Sequence, residues 1–467
     1  MKDIYVKDIL KETKGNLVIG DKNLVCKKFS RDTRTLEDGD VYIGIKGQTF
    51  DGNMLWKNAF EKGASCVIVE NIDFSEEDKR NFAKKTIIKV SNTIEALHKI
   101  ARYKREMYNI PVIGVTGSVG KTSTKDIISS VVSKKYKTLK TQGNKNNDIG
   151  LPFTILDLDD HEAAVIEMGM NHFGEISLLT NIAKPTICVI TNIGTSHIGN
   201  LGSRENILKA KLEILDGVEN PIVVINNDND LLHNWYEQNR DKMKIITYGI
   251  HNNSNIMAKN IELGEESSCF ECVTQTNKCK IEIPIGGEHF VLNALCAVAI
   301  GEILKVEYKD IVNGIEEFKL TKKRMDITEL ENGVKIINDS YNASLESMKA
   351  SLKYLGNCKE NRKIAVLGDM FELGRFSKVL HEEVGKEVYM NNIDILICSG
   401  KDSKYIAQKA EEMGMRKENI YYFEGKEDIL KLLKKVVLSG DVILFKASNG
   451  MRFFDLLDEF IKVFSTQ

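Results

Sequence analysis

The sequence predicts an α/β protein with three domains, and three observations lead to this fold class. The chain has 467 residues, and at roughly 100–200 residues per domain this length corresponds to two to four domains. Short apolar runs of strand length alternate with helical periods along most of the chain, which is typical of parallel sheets covered by helices on both faces. Residues 111–136 follow the order strand, glycine-rich loop and helix, as parallel sheets often do at their strand ends.

The composition excludes several classes of protein. The chain is 42% hydrophobic and 28% charged, with a formal net charge of −2, so we expect a globular protein with no nucleic-acid partner. No run of ~18 apolar residues occurs, so we expect no membrane insertion. The first 15 residues are charged and amphipathic, unlike a secretion signal, and nine cysteines are scattered along the chain. We therefore expect a reduced, cytoplasmic environment.

The first domain is predicted to be a small α/β unit over residues 1–100. Residues 41–46 and 66–70 have the pattern of strands on either side of a helix. Residues 91–108 have helical periodicity, with Ser91 as the expected N-cap. The domain boundary is placed within this last helix.

The second domain, residues 101–320, is predicted to contain a parallel sheet of the P-loop type. Its strand candidates after the glycine loop are residues 163–167, 187–191 and 222–225, and two helices close the domain. Cys269, Cys272 and Cys279 contain a Cys-x-x-Cys pair that could indicate a metal site. No second pair follows and the segment alternates, so a β-hairpin is the favoured interpretation.

The third domain, residues 321–467, is predicted to be Rossmann-like. Its strand candidates are residues 334–338, 363–367, 393–398 and 441–446, with helices between them. This alternation is typical of a doubly wound sheet. The Gly-x-Gly-x-x-Gly fingerprint of dinucleotide binding does not occur.

The stretch GVTGSVGKTST, residues 114–124, resembles a phosphate-binding loop. Val115 stands where the common G-x-x-x-x-G-K-[ST] pattern has its first glycine. Gly117 and Gly120 remain, Lys121 supplies positive charge at a helix N-terminus, and Thr122 offers a hydroxyl to Mg²⁺. The alternative is an ordinary strand-to-helix turn, which would not need a lysine at this point.

Two further strand candidates end in residues that can bind a metal ion. Glu167 ends one strand, and His197 follows another. The carboxyl ends of parallel strands are where the sites of open sheets lie, and a carboxylate there suits Mg²⁺. Taken singly, the glutamate is more often a solvated charge and the histidine more often a hydrogen-bonded side chain.

Two other segments have more than one interpretation. Lys209, Lys211 and Glu213 lie on a predicted helix, and their spacing alone favours a solvated, charged face. The polar segment 143–154, GNKNNDIGLPFT, can form either an ordered binding loop or a plain surface loop.

Taken in order, these motifs resemble those of the Mur ligase family. The resemblance rests on VTGSVGKTSTK, GNKNNDIGLPFT, IEMGMNHFGEI, ITNIGTSHIGNLGSRENILKAKLEI, GEHFVLNALCAVA, KRMD, INDSYNAS and LGDMFELG, with SRDTRTLEDGDVYIGIKGQTFDGN near the N-terminus. It covers nearly the whole chain. It implies a UDP-precursor-binding domain, a central ATP-binding domain and a Rossmann-like C-terminal domain, and a phosphate loop that does not require glycine at position 115.

The resemblance also implies a role for particular residues. The residues expected to act in catalysis are Lys121, Lys211 and His197. The residues expected at ATP are Gly117, Ser118, Gly120, Lys121, Thr122, Ser123, Asn293, Arg324 and Asp339. The expected Mg²⁺ ligands are Thr122, Glu167, His197 and Lys211, the last as a lysine carbamate. The residues expected at the substrates are Ser30, Asp32, Thr33, Arg34, Asn144, Asn147, Asn342 and Lys446.

The activity implied by the resemblance is that of an ATP-dependent, ADP-forming amide ligase of peptidoglycan synthesis. The LGDMFELG segment and the form of YNAS favour joining D-alanyl-D-alanine to UDP-N-acetylmuramoyl-tripeptide through an acyl phosphate. Such an enzyme would serve cell-wall biogenesis, cell shape and cell division, and we expect a monomer. The alternatives are another amino-acid ligase of the family, acting at an earlier step or on folate, and a non-catalytic nucleotide-binding regulator.

The chain departs from the usual pattern of the family at three places. Leu345 stands where close relatives usually have proline, and Asn53 stands where histidine is usual. In the segment FKASNGMRF, Lys446 and Ser448 match the family, whereas Ala447 and Asn449 do not.

Overall fold

The computed structural model describes residues 2–319, 321, 323–358 and 361–464. In that part of the chain the strands form four sheets, of two, five, six and nine strands. The three larger sheets follow one another along the sequence, and helices pack on them. The α/β fold class predicted from the sequence is confirmed.

The N-terminal region contains a mixed sheet in the order β2-β7-β6-β5-β4. The β2–β7 pair is antiparallel, and the other neighbours are parallel. The separate β1–β3 pair is antiparallel. The strands are β1 (Ile4–Tyr5), β2 (Asn16–Ile19), β3 (Val25–Cys26), β4 (Phe29–Ser30), β5 (Val41–Ile43), β6 (Cys66–Val69) and β7 (Thr86–Lys89), and the helices are α1 (Val6–Thr13), α2 (Trp56–Glu61), α3 (Glu76–Asn81) and α4 (Thr93–Glu106).

The predicted helix over residues 91–108 is present as α4, but its predicted cap is wrong. Asn92 is the N-cap, and its side chain accepts a hydrogen bond of 2.8 Å from the Glu95 backbone N–H. Ser91 lies one residue before the cap. Because α4 continues across residue 100, the expected domain limit falls within a helix, and it stays a prediction.

The central region contains the nine-stranded sheet, in the order β16-β15-β14-β13-β12-β11-β8-β10-β9. The neighbours from β9 to β14 are parallel. The strands are β8 (Val112–Thr116), β9 (Thr138–Lys140), β10 (Ala163–Glu167), β11 (Ile187–Ile190), β12 (Ile222–Asn226), β13 (Ile245–Gly249), β14 (Ile256–Leu263), β15 (Ser268–Val273) and β16 (Lys278–Ile283), and the helices are α5 (Lys121–Val132), α6 (Gly150–Leu156), α7 (Glu175–Ala183), α8 (Ile198–Leu201), α9 (Arg204–Leu212), α10 (Asp230–Asn239), α11 (Glu288–Ile303) and α12 (Tyr308–Glu316).

The cysteine-containing segment is the antiparallel hairpin β15–β16, as the alternation predicted. Cys272 pairs directly with Cys279 across the two strands, and Cys269 faces Glu282. Val112–Thr116 and Ala163–Glu167 are buried throughout, because helices cover both faces of the parallel part of the sheet. This explains why these strands are continuous apolar runs in the sequence.

The C-terminal region contains the six-stranded sheet β17-β18-β22-β19-β20-β21. Only the β17–β18 pair is antiparallel among these described strands. The strands are β17 (Asp326–Glu329), β18 (Lys335–Asn338), β19 (Lys363–Gly368), β20 (Ile395–Ser399), β21 (Ile420–Phe423) and β22 (Val442–Lys446), and the helices are α13 (Leu345–Asn357), α14 (Ser377–Met390), α15 (Lys404–Met413), α16 (Ile429–Val436) and α17 (Phe453–Phe464).

The strand order of this sheet places a crevice beside β22. The chain passes from β18 across the position of β22 to β19, continues through β20 to β21, and then reverses direction to place β22 between β18 and β19. In open α/β sheets, ligands bind at the carboxyl ends of the strands where the order reverses in this way. The four C-terminal strands predicted from the sequence are present. The limit expected at residue 320 stays a prediction, and residue 320 itself lies outside the described residues.

No helix among the described residues combines the length and the apolar character that crossing a lipid bilayer requires.

Candidate active site

A cavity of about 490 Å³ lies between the strand ends of the central and C-terminal sheets. Side chains from both regions line it. The predicted site residues in its lining are Ser118, Gly120, Lys121, Thr122, Ser123, Asn144, Asn147, Glu167, His197, Asn293, Arg324, Asp339, Asn342 and Lys446. Residues that are up to 328 positions apart in the sequence therefore face one space.

The glycine loop joins β8 to α5 and forms one wall of the cavity. Gly117 has φ 151° and Gly120 has φ 80°, values that residues with a Cβ atom rarely adopt. A Cβ atom at Gly117 would lie 1.9 Å from Thr191 Oγ1. Val115, by contrast, is a buried β8 residue paired with Val189 and Glu167. The turn thus begins two residues after position 115, and no glycine is needed there.

Lys121 is the first residue of α5, and Gly120 at the N-cap supplies no side-chain cap. The first backbone N–H groups of a helix bind anions, and the helix dipole adds to this. The Lys121 ammonium donates a hydrogen bond of 2.8 Å to the Gly117 carbonyl. Burial lowers the pKa of Lys121, although the nearby Glu167 carboxylate opposes the shift. This end of the cavity is therefore suited to a phosphate group.

Thr122 and Glu167 meet in the floor of the cavity. The Thr122 hydroxyl donates a hydrogen bond of 2.9 Å to Glu167 Oε2. The other carboxylate oxygen, Oε1, accepts a hydrogen bond of 2.8 Å from the Asn146 side chain. Glu167 is only 2% exposed, so its charge is held by hydrogen bonds rather than by water.

These donors fit a magnesium ion by their chemistry. Hydroxyl and carboxylate oxygens are the ligands that Mg²⁺ prefers, usually together with water and substrate phosphates. Within the described residues, no three His, Cys, Asp or Glu side chains come together as a metal-binding group. A cation at Thr122 and Glu167 would therefore depend on phosphate and water ligands as well.

His197 lines the same cavity but faces the C-terminal region with one ring nitrogen. It precedes α8 with φ 62°. Its Nδ1 lies in close contact with the Glu372 carboxylate, but the geometry is not that of a hydrogen bond. The contact lowers the pKa of Glu372.

Lys211 on α9 is 1% exposed, so the solvated helix face that the spacing favoured is wrong for this residue. Lys209 on the same helix is exposed. No hydrogen bond or ion pair of the Lys211 side chain occurs in the described part of the chain. Burial, with a further contribution from the charge of Lys121, lowers the pKa of Lys211 well below its usual value. Lys211 is not part of the cavity lining.

Asp339 and Lys446 stand on the opposite wall, at the ends of β18 and β22. Their side chains form an ion pair in which Lys446 is fully buried and Asp339 is 13% exposed. Ser351 donates a hydrogen bond of 2.7 Å to Asp339 Oδ2, and Lys446 also donates one of 3.2 Å to the Asn342 carbonyl. Burial lowers the pKa of Lys446, and Asp339 opposes that shift.

Two further side chains connect the walls. Arg324 places its guanidinium 4.1 Å from the centre of the Tyr341 ring, and its buried Nε has no hydrogen-bond partner in the described residues. Asn293 on α11 accepts a hydrogen bond of 3.0 Å from the Thr124 hydroxyl, just behind the glycine loop. An arginine with a free donor opposite a phosphate-binding loop is well placed to bind an anion.

Comparison with known proteins shows which protein family has this architecture. The model of the Mur ligase middle domain matches residues 115–301, that of the Mur ligase glutamate ligase domain matches residues 323–449, and that of the Mur ligase catalytic domain matches residues 29–105. The UDP-N-acetylmuramoyl-tripeptide–D-alanyl-D-alanine ligase of Bacillus subtilis is 36% identical over 461 residues, which is 98% of each chain.

The chain belongs to the Mur ligase family.

Other similar proteins agree with this assignment. The ligase of the same name from Synechocystis is 35% identical and covers 90% of this chain and 88% of its own. MurF from Acinetobacter baumannii has 29% identity, a TM-score of 0.87 and 99% coverage of both chains. MurF from Thermotoga maritima, solved with ADP, has 29% identity and a TM-score of 0.81, covering 94% of this chain and 98% of that one.

The predicted uridine-side residues of this Mur ligase lie elsewhere. Ser30 is the last residue of β4, and Asp32, Thr33 and Arg34 follow it; none of the four is in the cavity lining. Arg34 donates hydrogen bonds to Asp32, the shortest being 2.6 Å, and lowers the pKa of Asp32 to about 2. The structure therefore does not bring these four residues to the phosphate end of the site.

Two departures from the family pattern have local explanations. Leu345 is the first residue of α13, after the N-cap Ser344, a position that suits proline but does not require it. Asn53 is 1% exposed. Its side chain accepts a hydrogen bond of 2.9 Å from the Glu70 backbone N–H. Both residues therefore act in local structure.

The sequence interpretation missed several residues of the site. Asn146 lies between the two asparagines that were selected, and the run of asparagines gave no means of choosing among them. Tyr341 stood within a quoted motif without a role. Glu372 also stood within a quoted motif, LGDMFELG, without a role, and Glu346 is an ordinary charged residue in the sequence; only their contacts with Thr195 and His197 distinguish them.

Proposed function

We propose that this Mur ligase joins D-alanyl-D-alanine to UDP-N-acetylmuramoyl-tripeptide, and that ATP is converted to ADP and phosphate in the reaction. Relatives that carry the name of this activity support the proposal, at 30–36% identity over at least 90% of this chain. The observation that carries it is the single cavity in which the phosphate loop and the Thr122–Glu167 pair face Asp339 and Lys446.

The chemistry requires activation of a carboxylate, because a carboxylate reacts poorly with an amine. Transfer of the γ-phosphoryl group of ATP gives an acyl phosphate, and ADP leaves. The amine of the dipeptide then attacks the carbonyl carbon, and the C–N bond forms as phosphate leaves. Bound Mg²⁺ would supply charge neutralisation between the phosphates and the carboxylate.

The residues of the chain have separate tasks in this scheme. The backbone of the glycine loop and Lys121 bind the phosphates, and Thr122, Glu167 and His197 would hold the metal ion. Arg324 and Asp339 orient the nucleotide from the C-terminal wall, and that wall excludes water from the acyl phosphate. The expected contacts of Ser118, Ser123 and Asn293 with ATP belong to the same scheme.

Lys211 is proposed to act as a carbamate. A neutral lysine adds CO₂ at its amine and becomes an anion, and burial favours the neutral form of Lys211. A carbamate at Lys211 would supply anionic oxygen atoms, the kind of ligand that Mg²⁺ prefers.

The remaining parts of the proposal concern the substrate-binding residues and the role of the enzyme in the cell. Ser30, Asp32, Thr33 and Arg34 are proposed to bind the uridine end of the precursor, and Asn144, Asn147, Asn342 and Lys446 its peptide end and the dipeptide. We propose that the enzyme is a cytoplasmic monomer that contributes to cell-wall growth, cell shape and cell division.

The test is phosphate release from ATP with defined acceptors. Release should require both UDP-N-acetylmuramoyl-tripeptide and D-alanyl-D-alanine. Equal release with glycine, glutamate or D-glutamate as acceptor would instead indicate another amino-acid ligase of the family. No release with any acceptor would indicate a nucleotide-binding regulator. A panel with lysine and diaminopimelate tripeptides also identifies the third residue of the precursor.

A further inference from the structure

The loop of residues 194–199 connects the phosphate loop to the C-terminal region. On the central side, the Gly194 backbone N–H donates a hydrogen bond of 2.9 Å to the Ser118 hydroxyl, and the Ser196 hydroxyl donates one of 3.3 Å to the Ser118 carbonyl. His197 lies in this loop. Any movement of the loop therefore moves a proposed metal ligand relative to the phosphate loop.

Glu346 holds the same loop from the C-terminal side. It lies in the first turn of α13. Its Oε1 accepts a hydrogen bond of 2.8 Å from the Thr195 backbone N–H, and its Oε2 accepts one of 3.2 Å from the Thr195 hydroxyl. Thr195 is buried, so this carboxylate satisfies a main-chain donor that water reaches poorly.

The shape of the loop fits the carboxylate closely. A Cβ atom at Gly194 would lie 2.5 Å from Glu346 Cδ. Gly194 does not have a positive φ, so what the glycine provides here is space for Glu346 rather than a special backbone conformation. The Gly199 backbone N–H donates a further hydrogen bond of 2.9 Å to the Glu372 carbonyl.

We infer that Glu346 is a positioning residue, which fixes the His197 loop when the C-terminal region is docked against it. The inference rests on the proposed function, in which His197 binds the metal ion. Docking of the C-terminal region and completion of the metal site would then be one event. Phosphoryl transfer would be slow until the wall that excludes water is in place.

Three variants separate hydrogen bonding from charge and from helix stability. Glu346→Ala and Glu346→Gln both remove the negative charge that favours the N-terminus of α13, but the glutamine keeps an oxygen that can accept the Thr195 hydrogen bond. Gly194→Ala pushes the carboxylate away from the loop and leaves Glu346 itself unchanged. Glu411→Gln, on the exposed part of α15, is the control for loss of one surface charge.

The first measurement is hydrogen–deuterium exchange of peptides that cover residues 192–200, which needs no turnover. Glu346→Ala and Gly194→Ala should increase exchange at Thr195 on the order of 10-fold or more, as expected for loss of a hydrogen bond to a charged group. Glu346→Gln should show a smaller increase, and Glu411→Gln none.

The second measurement is steady-state kinetics with the full substrate set. Glu346→Ala should lower kcat on the order of 10-fold, with the KM for ATP changed less than about 3-fold, because the phosphate loop itself is intact. Thr195→Val should give little further loss in the Glu346→Ala background, since both changes remove one interaction.

The outcomes keep the two proposals apart. If wild-type protein shows no ligase activity, the proposed function fails, and the exchange data still decide whether Glu346 fixes the loop. If Glu346→Ala leaves both Thr195 exchange and kcat at wild-type values, the positioning role is refuted. Equal effects of Glu346→Gln and Glu346→Ala would also refute it, because they would point to the helix charge alone. Should Glu346→Ala fail to fold, Gly194→Ala gives the same decision.

Discussion

The central and C-terminal sheets both present the carboxyl ends of parallel strands to the cavity, but they place charge there differently. Among the described residues, Lys121 on the central side donates hydrogen bonds to carbonyl oxygens of its own loop and has no carboxylate partner. Lys446 on the C-terminal side is neutralised by Asp339. The central edge thus keeps an unpaired cation next to free helix N–H groups, as an anion site needs. On the C-terminal edge the lysine charge is balanced before any ligand binds, and the donor left over is the buried Nε of Arg324, which has no hydrogen-bond partner among the described residues.

The largest effect should come from Lys211, which belongs to the central side. Lys211→Ala should lower turnover on the order of 10³-fold, because no carbamate can then form to support the charge in the transition state. Added formate or acetate should restore part of the activity by occupying the space of the carbamate. Phosphate release is the measurement, with Lys209→Ala on the exposed face as control. Full activity of Lys211→Ala would show that turnover does not require a carbamate at Lys211.

We expect Lys121 to contribute to catalysis and not to the stability of the fold. Lys121→Met should reduce kcat/KM about 10²- to 10³-fold, as for loss of one donor to a developing charge. Its free energy of unfolding in urea should not fall, since no carboxylate of the described part of the chain forms an ion pair with this lysine, and its burial is costly. A large loss of stability in Lys121→Met would contradict the proposed difference between Lys121, which serves ligand binding, and Lys446, which serves stability.

For Lys446, which is paired with Asp339, we expect the opposite: its loss should lower the stability of the fold. Lys446→Met leaves the largely buried Asp339 carboxylate without its cationic partner, which should lower the free energy of unfolding by about 3 kcal/mol. The double variant Asp339→Asn/Lys446→Met should regain part of that loss, because no isolated charge remains. Urea denaturation of the single and double variants measures this. Additive losses would show that the pair does not act as a unit.

The smallest effect concerns His289, which faces Asp339 and Lys446 from α11. Burial lowers the pKa of His289 to about 4. In the unfolded chain the imidazole takes up a proton near its usual pKa of about 6.5, so the unfolded state binds more protons between these values and stability falls as the pH falls. Between pH 7 and pH 4.5 this should amount to about 2 kcal/mol, and His289→Gln should lack that part of the slope. If stability fell equally with pH in the wild-type protein and in His289→Gln, the lowered pKa of His289 would be contradicted.

Local signals predicted the parts of the fold that depend on short stretches of sequence. Strand-forming runs such as Val112–Thr116 and Val442–Lys446 were identified because strands buried on both faces are apolar throughout. The hairpin of Cys272 and Cys279 was identified from alternation. Ser91 was chosen as a cap over Asn92 because the two residues are equally good caps, and only the backbone conformation distinguishes them.

The phosphate loop shows what the amino-acid sequence determines by itself. Glycines at 117 and 120, followed by a lysine and a threonine at the start of a helix, require the positive φ angles and the open helix N-terminus that the structure has. These are properties of a few consecutive residues and of their backbone preferences, so the sequence contains them in full.

Only the tertiary structure decided which charges are buried and which partners they have. Helical spacing placed Lys211 on a solvated face, yet the packing of α9 makes it inaccessible, and Glu346 gains its role from a loop about 150 residues earlier in the chain. Burial and long-range hydrogen bonds depend on the arrangement of whole sheets, and the free energy of a charge changes most steeply with that environment. For this protein, therefore, the sequence by itself determined the conformation of the glycine loop. The tertiary structure determined which charged side chains near that loop are buried and which are paired.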